Sequence, residues 1–310
     1  MALSVNEIEA LTQDYWEPGA HDQFFTDNVL CYRLLKKGKK YAGGKKLRVQ
    51  VAYGQPQGGT FNAASTFKTA KVEEHTAAFW TQASYYEYTT YDFDDMTMNA
   101  GEAQQIDLVM TKLDSLADKI KWNMGTDIYT SASAGPNGRS IAGLAWMINT
   151  NTYGEIAPAD LAEWTAGSIV TTATPITFGI IRTLRTACKV GLTREKPGLL
   201  ITTDTLLDYL KSLLQPSMRY ENEDMADVGF VNIGFEAAGL IVADGKCPSG
   251  YFYALNEDYL DFKSHNDFFF KREPWKEPYD KPFFTTRVIW VGQLLCKRRN
   301  AHGYHSGLTT

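Results

Sequence analysis

Residues 95–130 read DMTMNAGEAQQIDLVMTKLDSLADKIKWNMGTDIYT. From Ile106 onward, apolar side chains recur at Val109, Leu113, Leu116, Ile120 and Met124, the three-and-four spacing of one helix face. Lys112, Asp114, Asp118, Lys119 and Lys121 fall on the other face. Asn99 and Glu102 precede this run at the spacing of an N-cap and its N3 partner. The pattern predicts a helix from Asn99 to Met124, about 39 Å long and roughly twice the usual length. A helix of that length serves as a beam, and its neighbours in sequence decide what it carries.

Upstream the period changes to two. Leu47, Val49 and Val51 alternate with Arg48, Gln50 and Ala52, which predicts a half-buried strand. A polar tip follows (GQPQGGTFNAAS, residues 54–65). The return run holds Phe79-Trp80 and then the Tyr- and Thr-dense ASYYEYTTYDF, residues 83–93. These features predict an extended hairpin over Leu47–Phe93. A two-stranded hairpin is marginal alone in water, so it calls for another surface to lie on. Residues 1–32 are polar with short apolar islands at Phe24-Phe25 and Val29-Leu30, and read as an arm with the same need.

Between arm and hairpin lies RLLKKGKKYAGGKKLR, residues 33–48, with eight basic residues and no acid. The chain holds 31 basic residues in all, so the rest carries 23 against 36 acidic ones. Segregated charge of this kind marks either a solvated loop or an electrostatic contact, with an acidic face of a neighbouring copy or with nucleic acid. The contact reading takes in Lys36, Lys37, Lys39, Lys40, Lys45 and Lys46, joined by Lys68 and Lys71 near the hairpin tip.

Downstream of the beam, Gly135–Gly138 is a loop, and Trp146 and Trp164 are expected as core residues or anchors. A helix is predicted over Pro175–Val190, stopping at Gly191. Gly198–Thr202 reads as a short buried strand. Thr203 or Asp204 caps a helix through Leu214, which Pro216 ends. Residues 228–255 read as short strands separated by turns at 243–245 and 248–250. Phe284–Leu295 is a final strand, apolar on both faces and hence covered. No internal repeat appears, and the mixture is α+β.

The net charge of −5 excludes a wholesale nucleic-acid binder, though not a local basic patch. Cys31, Cys188, Cys247 and Cys296 lie far apart, too few for a disulfide scaffold, which points to a reducing cytoplasm. The N-terminus carries acids where a signal peptide carries Lys or Arg. The apolar stretch Ile141–Ile148 is too short to cross a bilayer. Gly38, Gly43, Gly44 and Lys45 lack the spacing of a phosphate loop. His302 and His305, with Cys296 upstream, fall short of the three or four convergent ligands of a zinc site, and read as a loop or tail contact. Asp92, Asp94 and Asp95 read as a solvated turn, favourable before a helix N-terminus. No catalytic, cofactor-binding or metal-binding residue is assigned, and no cofactor is expected. An α+β enzyme is the alternative of a different class.

The order of parts resembles the major capsid (head) proteins of tailed bacteriophages (Caudoviricetes), whose fold is named after bacteriophage Hong Kong 97 and is shared with encapsulin shells. Residues 95–130 are similar to the entry and body of that family's spine helix. Residues 287–307, RVIWVGQLLCKRRNAHGYHSG, are similar to its closing strand and polar end. GLLITTDTLLDYL (198–210) and CPSGYFYALNEDYLDF (247–262) fit positions between them. The resemblance implies an N-terminal arm over 1–34 and an extended loop over 35–95 that lies across a neighbouring subunit. It implies a peripheral domain from 96–165 and 257–310, the latter with the closing strand and C-terminal tail, and an axial domain over 170–256. It further implies self-assembly into hexamers and pentamers of an icosahedral virion shell around double-stranded DNA. Expected partners are a portal protein and, where the shell needs them, decoration proteins or scaffolding, the latter as a separate protein because the arm is short, with assembly in the host cytoplasm and no membrane. No partner Asn for a covalent Lys–Asn crosslink at Lys68 or Lys71 can be identified. An encapsulin-type compartment is the alternative within the same fold.

Overall fold

The computed structural model describes residues 28–54, 57–63, 65–67, 70–92, 94, 108–130, 138–191, 195–213, 232–235, 239–279 and 283–310. The expected cap pair Asn99 and Glu102, and Ile106, lie outside the described residues. The beam itself is a helix, α2 (Leu108–Ile128), running one turn beyond Met124. Leu116, Ile120, Met124 and Ile128 recur every fourth residue and are all buried. At about 1.5–3 kcal/mol for each such side chain, this stripe contributes roughly 6–12 kcal/mol of gross burial. A charge at Ile120 or Met124 would break it.

The stripe lies on a five-stranded sheet. Its centre is β13 (Phe283–Cys296), the predicted final strand, flanked by β11 (Leu260–His265) and β12 (Lys271–Arg272). The edge strand β1 (Lys39–Tyr41) runs parallel to β11. Val288, Trp290, Leu294 and Leu295 of β13 are buried, and Trp290 stacks on Phe262 of β11 at 5.3 Å. From Gly292 to Cys296 both faces of the strand are covered, while over Phe283–Val291 one face stays partly open.

The hairpin is smaller than its sequence suggests. β2 (Leu47–Ala52) pairs with β3 (His75–Trp80), and there the hairpin ends. The Tyr/Thr run forms β4 (Ala83–Asp92), which pairs with β13 over ten registered residues and not with β2. Period-two alternation marks a strand without saying which strand it joins, and β13 offers the longer apolar partner. The hairpin base also finds its surface within the chain. Phe79 N–H donates to Gly154 O at 2.9 Å, and Trp80 meets Tyr153 edge-on at 5.3 Å. Gly154 is required at this crossing: its φ is +62°, and a Cβ there would stand 2.8 Å from Trp80.

A second sheet has the order β5-β14-β10-β7-β9-β8. Its strands are β5 (Ser168–Val170), β7 (Leu199–Thr202), β8 (Asn232–Phe235), β9 (Gly239–Ala243), β10 (Phe252–Leu255) and β14 (Gly303–His305). Alternate residues feed two cores. Leu199, Ile201, Val242, Tyr253 and Leu255 face the spine-helix side. Leu200, Ile241, Phe252 and Ala254 face α4 (Phe178–Ala187) and α5 (Asp204–Leu213). β7 and β9 are parallel with α5 between them in sequence. The predicted helix 175–190 is shorter at both ends, capped by the Thr177 hydroxyl. The C-terminal strands leave the first sheet: β14 pairs with β5 and β10, and β15 (Leu308–Thr309) pairs with β6 (Thr174–Pro175). Residues 303–305 therefore lie in the six-stranded sheet, and residues 308–309 in a separate two-stranded sheet.

Candidate interaction surfaces

Of the arm's two apolar islands, Phe24-Phe25 lies outside the described residues and Val29-Leu30 is buried within the chain. Val29, Leu30, Cys31 and Leu34 of α1 (Val29–Lys36) sit in the main core. Asn28 holds the N-cap position but caps nothing itself; its Nδ2 donates to Lys121 O of α2 at 3.0 Å. The approach is so close that a Cβ on Gly125 would lie 1.7 Å from Asn28 Nδ2. The cap arrives from the second sheet, where Asp244, 1% exposed, accepts Leu30 N–H at 2.9 Å and Lys246 N–H at 2.8 Å. Asp244 thus ties the end of the arm to the second sheet, and Asn28 ties it to the spine helix. Burial, then Asp244, pushes the Cys31 thiol up to about 12.

The basic segment divides by partner. Lys37 and Arg33 both bind Glu257, at 2.8 and 2.7 Å, and Lys39 pairs with Asp261 at 3.4 Å. Burial opposes ionisation of Glu257, yet hydrogen bonds from Arg33 and Lys37 hold it below the usual carboxylate range. Asp261 behaves alike, its burial overcome chiefly by Lys297 at 3.0 Å. Lys46 pairs with Glu155. Lys37, Lys39 and Lys46 thus each pair with an acid of their own chain. Lys36, Lys45 and Lys71 are exposed, and Lys68 lies outside the described residues.

Lys40 belongs to a feature the sequence reading missed. Its Nζ stands 5.2 Å from the Phe269 ring centroid, and Phe269 meets Phe270 at 5.1 Å. Lys121 approaches Phe270 at 6.0 Å, and Lys271 approaches Phe268 at 5.1 Å. On the adjacent turn of α2, Trp122 takes two ammonium groups, Lys119 at 4.0 Å and Lys246 at 3.7 Å. The result is a band of alternating lysines and aromatics across α2, the Asp244 turn and the strand β12. Its members come from four distant stretches; the run Phe268–Lys271 was the one local signal.

Two aromatic surfaces face outward. Tyr86 and Tyr88, each 65% exposed, lie on the open face of β4 beside Glu273, Lys276 and Arg287, lining a groove of about 310 Å³. Beyond β2 and β3, Phe61 and Phe67 pair at 5.3 Å while 70% and 67% exposed. A second cleft of about 370 Å³, between the hairpin base and residues 155–161, holds Glu155, already paired with Lys46.

The histidine pair is structural. His302 is fully buried, its Nδ1 accepting Asn256 N–H at 3.2 Å, and burial pushes it down to about 3. His305 is buried within β14. Beside them Arg299, 1% exposed, donates to the carbonyls of Met147, Asn149, Asn151 and Trp164 and to Asn149 Oδ1, at 2.6–3.1 Å. It also lies over Tyr153 at 5.1 Å. All four cysteines are free and buried. Among the described residues, no three His, Cys, Asp or Glu side chains converge on a metal position, and no helix is long and apolar enough to cross a membrane.

By sequence, no family model and no curated protein matches the chain. By structure, it is similar over its whole length to capsid chains. A chain of the cyanophage A-1(L) capsid asymmetric unit aligns over 99% of both chains, with a TM-score of 0.74 and 14% identity. A chain of the native GTA particle capsid aligns over 99% and 100%, with a TM-score of 0.68 and 9% identity. The SrpI encapsulin of Synechococcus elongatus PCC 7942 aligns over 99% and 96%, with a TM-score of 0.60 and 10% identity. The chain therefore has the fold of tailed-phage capsid proteins, the α+β fold named after bacteriophage Hong Kong 97.

Proposed function

We propose that this chain is the shell-forming subunit of a tailed-phage head, a structural protein and not an enzyme. The observation that carries the reading is the end-to-end match to capsid chains, covering 99% of this chain and 99% of the cyanophage chain. Copies would assemble as hexamers and pentamers of an icosahedral virion capsid around double-stranded DNA, inside the host cytoplasm. The α2 beam and the five-stranded sheet would form most of the peripheral part, and the six-stranded sheet the axial part. The hairpin with its exposed Phe61–Phe67 pair, and the face of Tyr86 and Tyr88, suit contacts between copies, since exposed aromatics are favoured there. Lys36, Lys45, Lys68 and Lys71 remain candidate contacts with a neighbour or with DNA. A portal protein, a separate scaffold and decoration proteins complete the proposed partners.

Negative-stain microscopy of the purified full-length chain tests this. Closed shells or rings are expected; a strictly monomeric or dimeric species in every condition overturns it. The encapsulin similarity favours one second reading, a protein-loaded compartment. Shells that co-purify with an enzyme and hold no DNA would select it.

A further inference from the structure

We propose that residues 1–27 dock on the lysine–aromatic band of their own chain. The segment holds six acids, Glu7, Glu9, Asp14, Glu17, Asp22 and Asp27, and no Lys or Arg. The band presents the opposite charge through Lys40, Lys119, Lys121, Lys246 and Lys271. Asp118, bound to Lys121 at 2.7 Å, neutralises one of these. The chain enters the described residues at the band itself: Asn28 bonds the carbonyl of Lys121, and Leu30 bonds the carboxylate that also holds the Lys246 amide.

Tethering of this kind gives a local concentration on the order of millimolar. An extended 27-residue segment reaches about 90 Å, enough to follow the whole band. Its Tyr15, Trp16, Phe24 and Phe25 complement Trp122, Phe268 and Phe269, of which Phe269 is 39% exposed. Burial, and then the Lys119 ammonium, hold Lys246 below its ordinary pKa against the opposing pull of Asp244. The electrostatic part of the docking weakens with salt as the screening length shrinks. The inference holds whether or not the chain forms shells.

Zero-length carbodiimide crosslinking of the full-length chain at low salt, read by mass spectrometry, tests it. The pairs Lys37–Glu257 and Lys297–Asp261 serve as internal controls, and their crosslinks also report that the fold is intact. Crosslinks from Glu7, Glu9, Asp14, Glu17 or Asp22 to Lys119, Lys121 or Lys246 are expected. Their yield should fall several-fold at high salt and in Lys119→Gln/Lys246→Gln, while the controls persist. Co-expression with a copy marked by Ala20→Ser and Ala117→Ser separates own-chain from neighbour-chain docking. Own-chain docking gives Lys119 crosslinks of marked with marked and unmarked with unmarked only. Mixed pairs would assign the arm to a neighbour and overturn the proposal. Control crosslinks without arm crosslinks would also overturn it, and nuclease-sensitive protection of the same lysines would then name DNA as the occupant.

Discussion

Replacing Arg299 with methionine keeps most of the side chain's bulk and removes every donor. Two buried carbonyls, those of Met147 and Trp164, and two part-buried ones, those of Asn149 and Asn151, then lose their partner. An unmet buried acceptor costs about 1–3 kcal/mol, so the two buried carbonyls give a gross loss of roughly 2–6 kcal/mol. Part returns, because burying the guanidinium is itself unfavourable, as its lowered pKa records. The partners of Arg299 are neutral, so its removal strands no charge, and we expect a net loss of about 3 kcal/mol here. Against a stability of about 5–15 kcal/mol, the variant should still fold, near its threshold. Arg299→Lys should cost about half as much, since three donors on a point charge cannot reproduce the fork. The control Arg298→Met removes one bond, to Asn300 Oδ1 at 3.1 Å, and should cost under about 1 kcal/mol. Urea unfolding followed by tryptophan fluorescence measures the loss, and hydrogen exchange over residues 147–164 localises it. A midpoint for Arg299→Met equal to that of Arg298→Met, with unchanged exchange over 147–164, would refute the reasoning.

Three further outcomes are expected. Tyr85 donates to Asp127 Oδ2 at 2.5 Å and accepts Ile141 N–H at 3.0 Å, so Tyr85→Phe should lower stability by about 1–3 kcal/mol in a thermal melt. His302 binds its proton less tightly folded, at about 3, than unfolded, at 6.5, so the unfolded chain takes up the proton first and stability falls as pH drops below 6.5. The loss by pH 5 should be about 2 kcal/mol, read as a shift in urea midpoint that His302→Gln abolishes. The thiols of Cys31, Cys188 and Cys296, each pushed up to about 12 chiefly by burial, should resist a thiol reagent at pH 8 until the chain is unfolded.

What the sequence disclosed follows from the range of each signal. The body of the spine helix was readable because Leu116, Ile120 and Met124 repeat within one element. β13 was readable because a strand covered on both sides, as this one is from Gly292 to Cys296, is apolar on both. β4 was visible as a strand, but its partner was not, since Thr89 and Thr286 are joined by register and not by sequence. The partners within the basic segment's own chain were out of reach for the same reason: Glu257 lies 224 residues from Arg33, and no local pattern announces it. The lysine–aromatic band shares that origin, being assembled from β1, α2, the Asp244 turn and the strand beside Phe268–Phe270. His302 and His305 read as a loop or tail contact but are packed into the fold, His302 in the core and His305 within β14.

The sheet at the centre of the chain is stitched from pieces far apart in sequence. Gln293 reaches Thr81 across 212 residues, and Arg33 reaches Glu257 across 224. Contacts so remote form late and slowly, because a long loop must close before any of them rewards the closure. Until β13 arrives, β4 stands as an open edge with tyrosines on both faces, the kind of edge on which chains aggregate. The same topology works in reverse once closure is complete. The first sheet cannot open without drawing β13 from between β4 and β11, and β13 continues directly into the strand that helps close the second sheet. A subunit wired in this way folds reluctantly and comes apart as reluctantly, a kinetic persistence that its equilibrium stability alone would not supply.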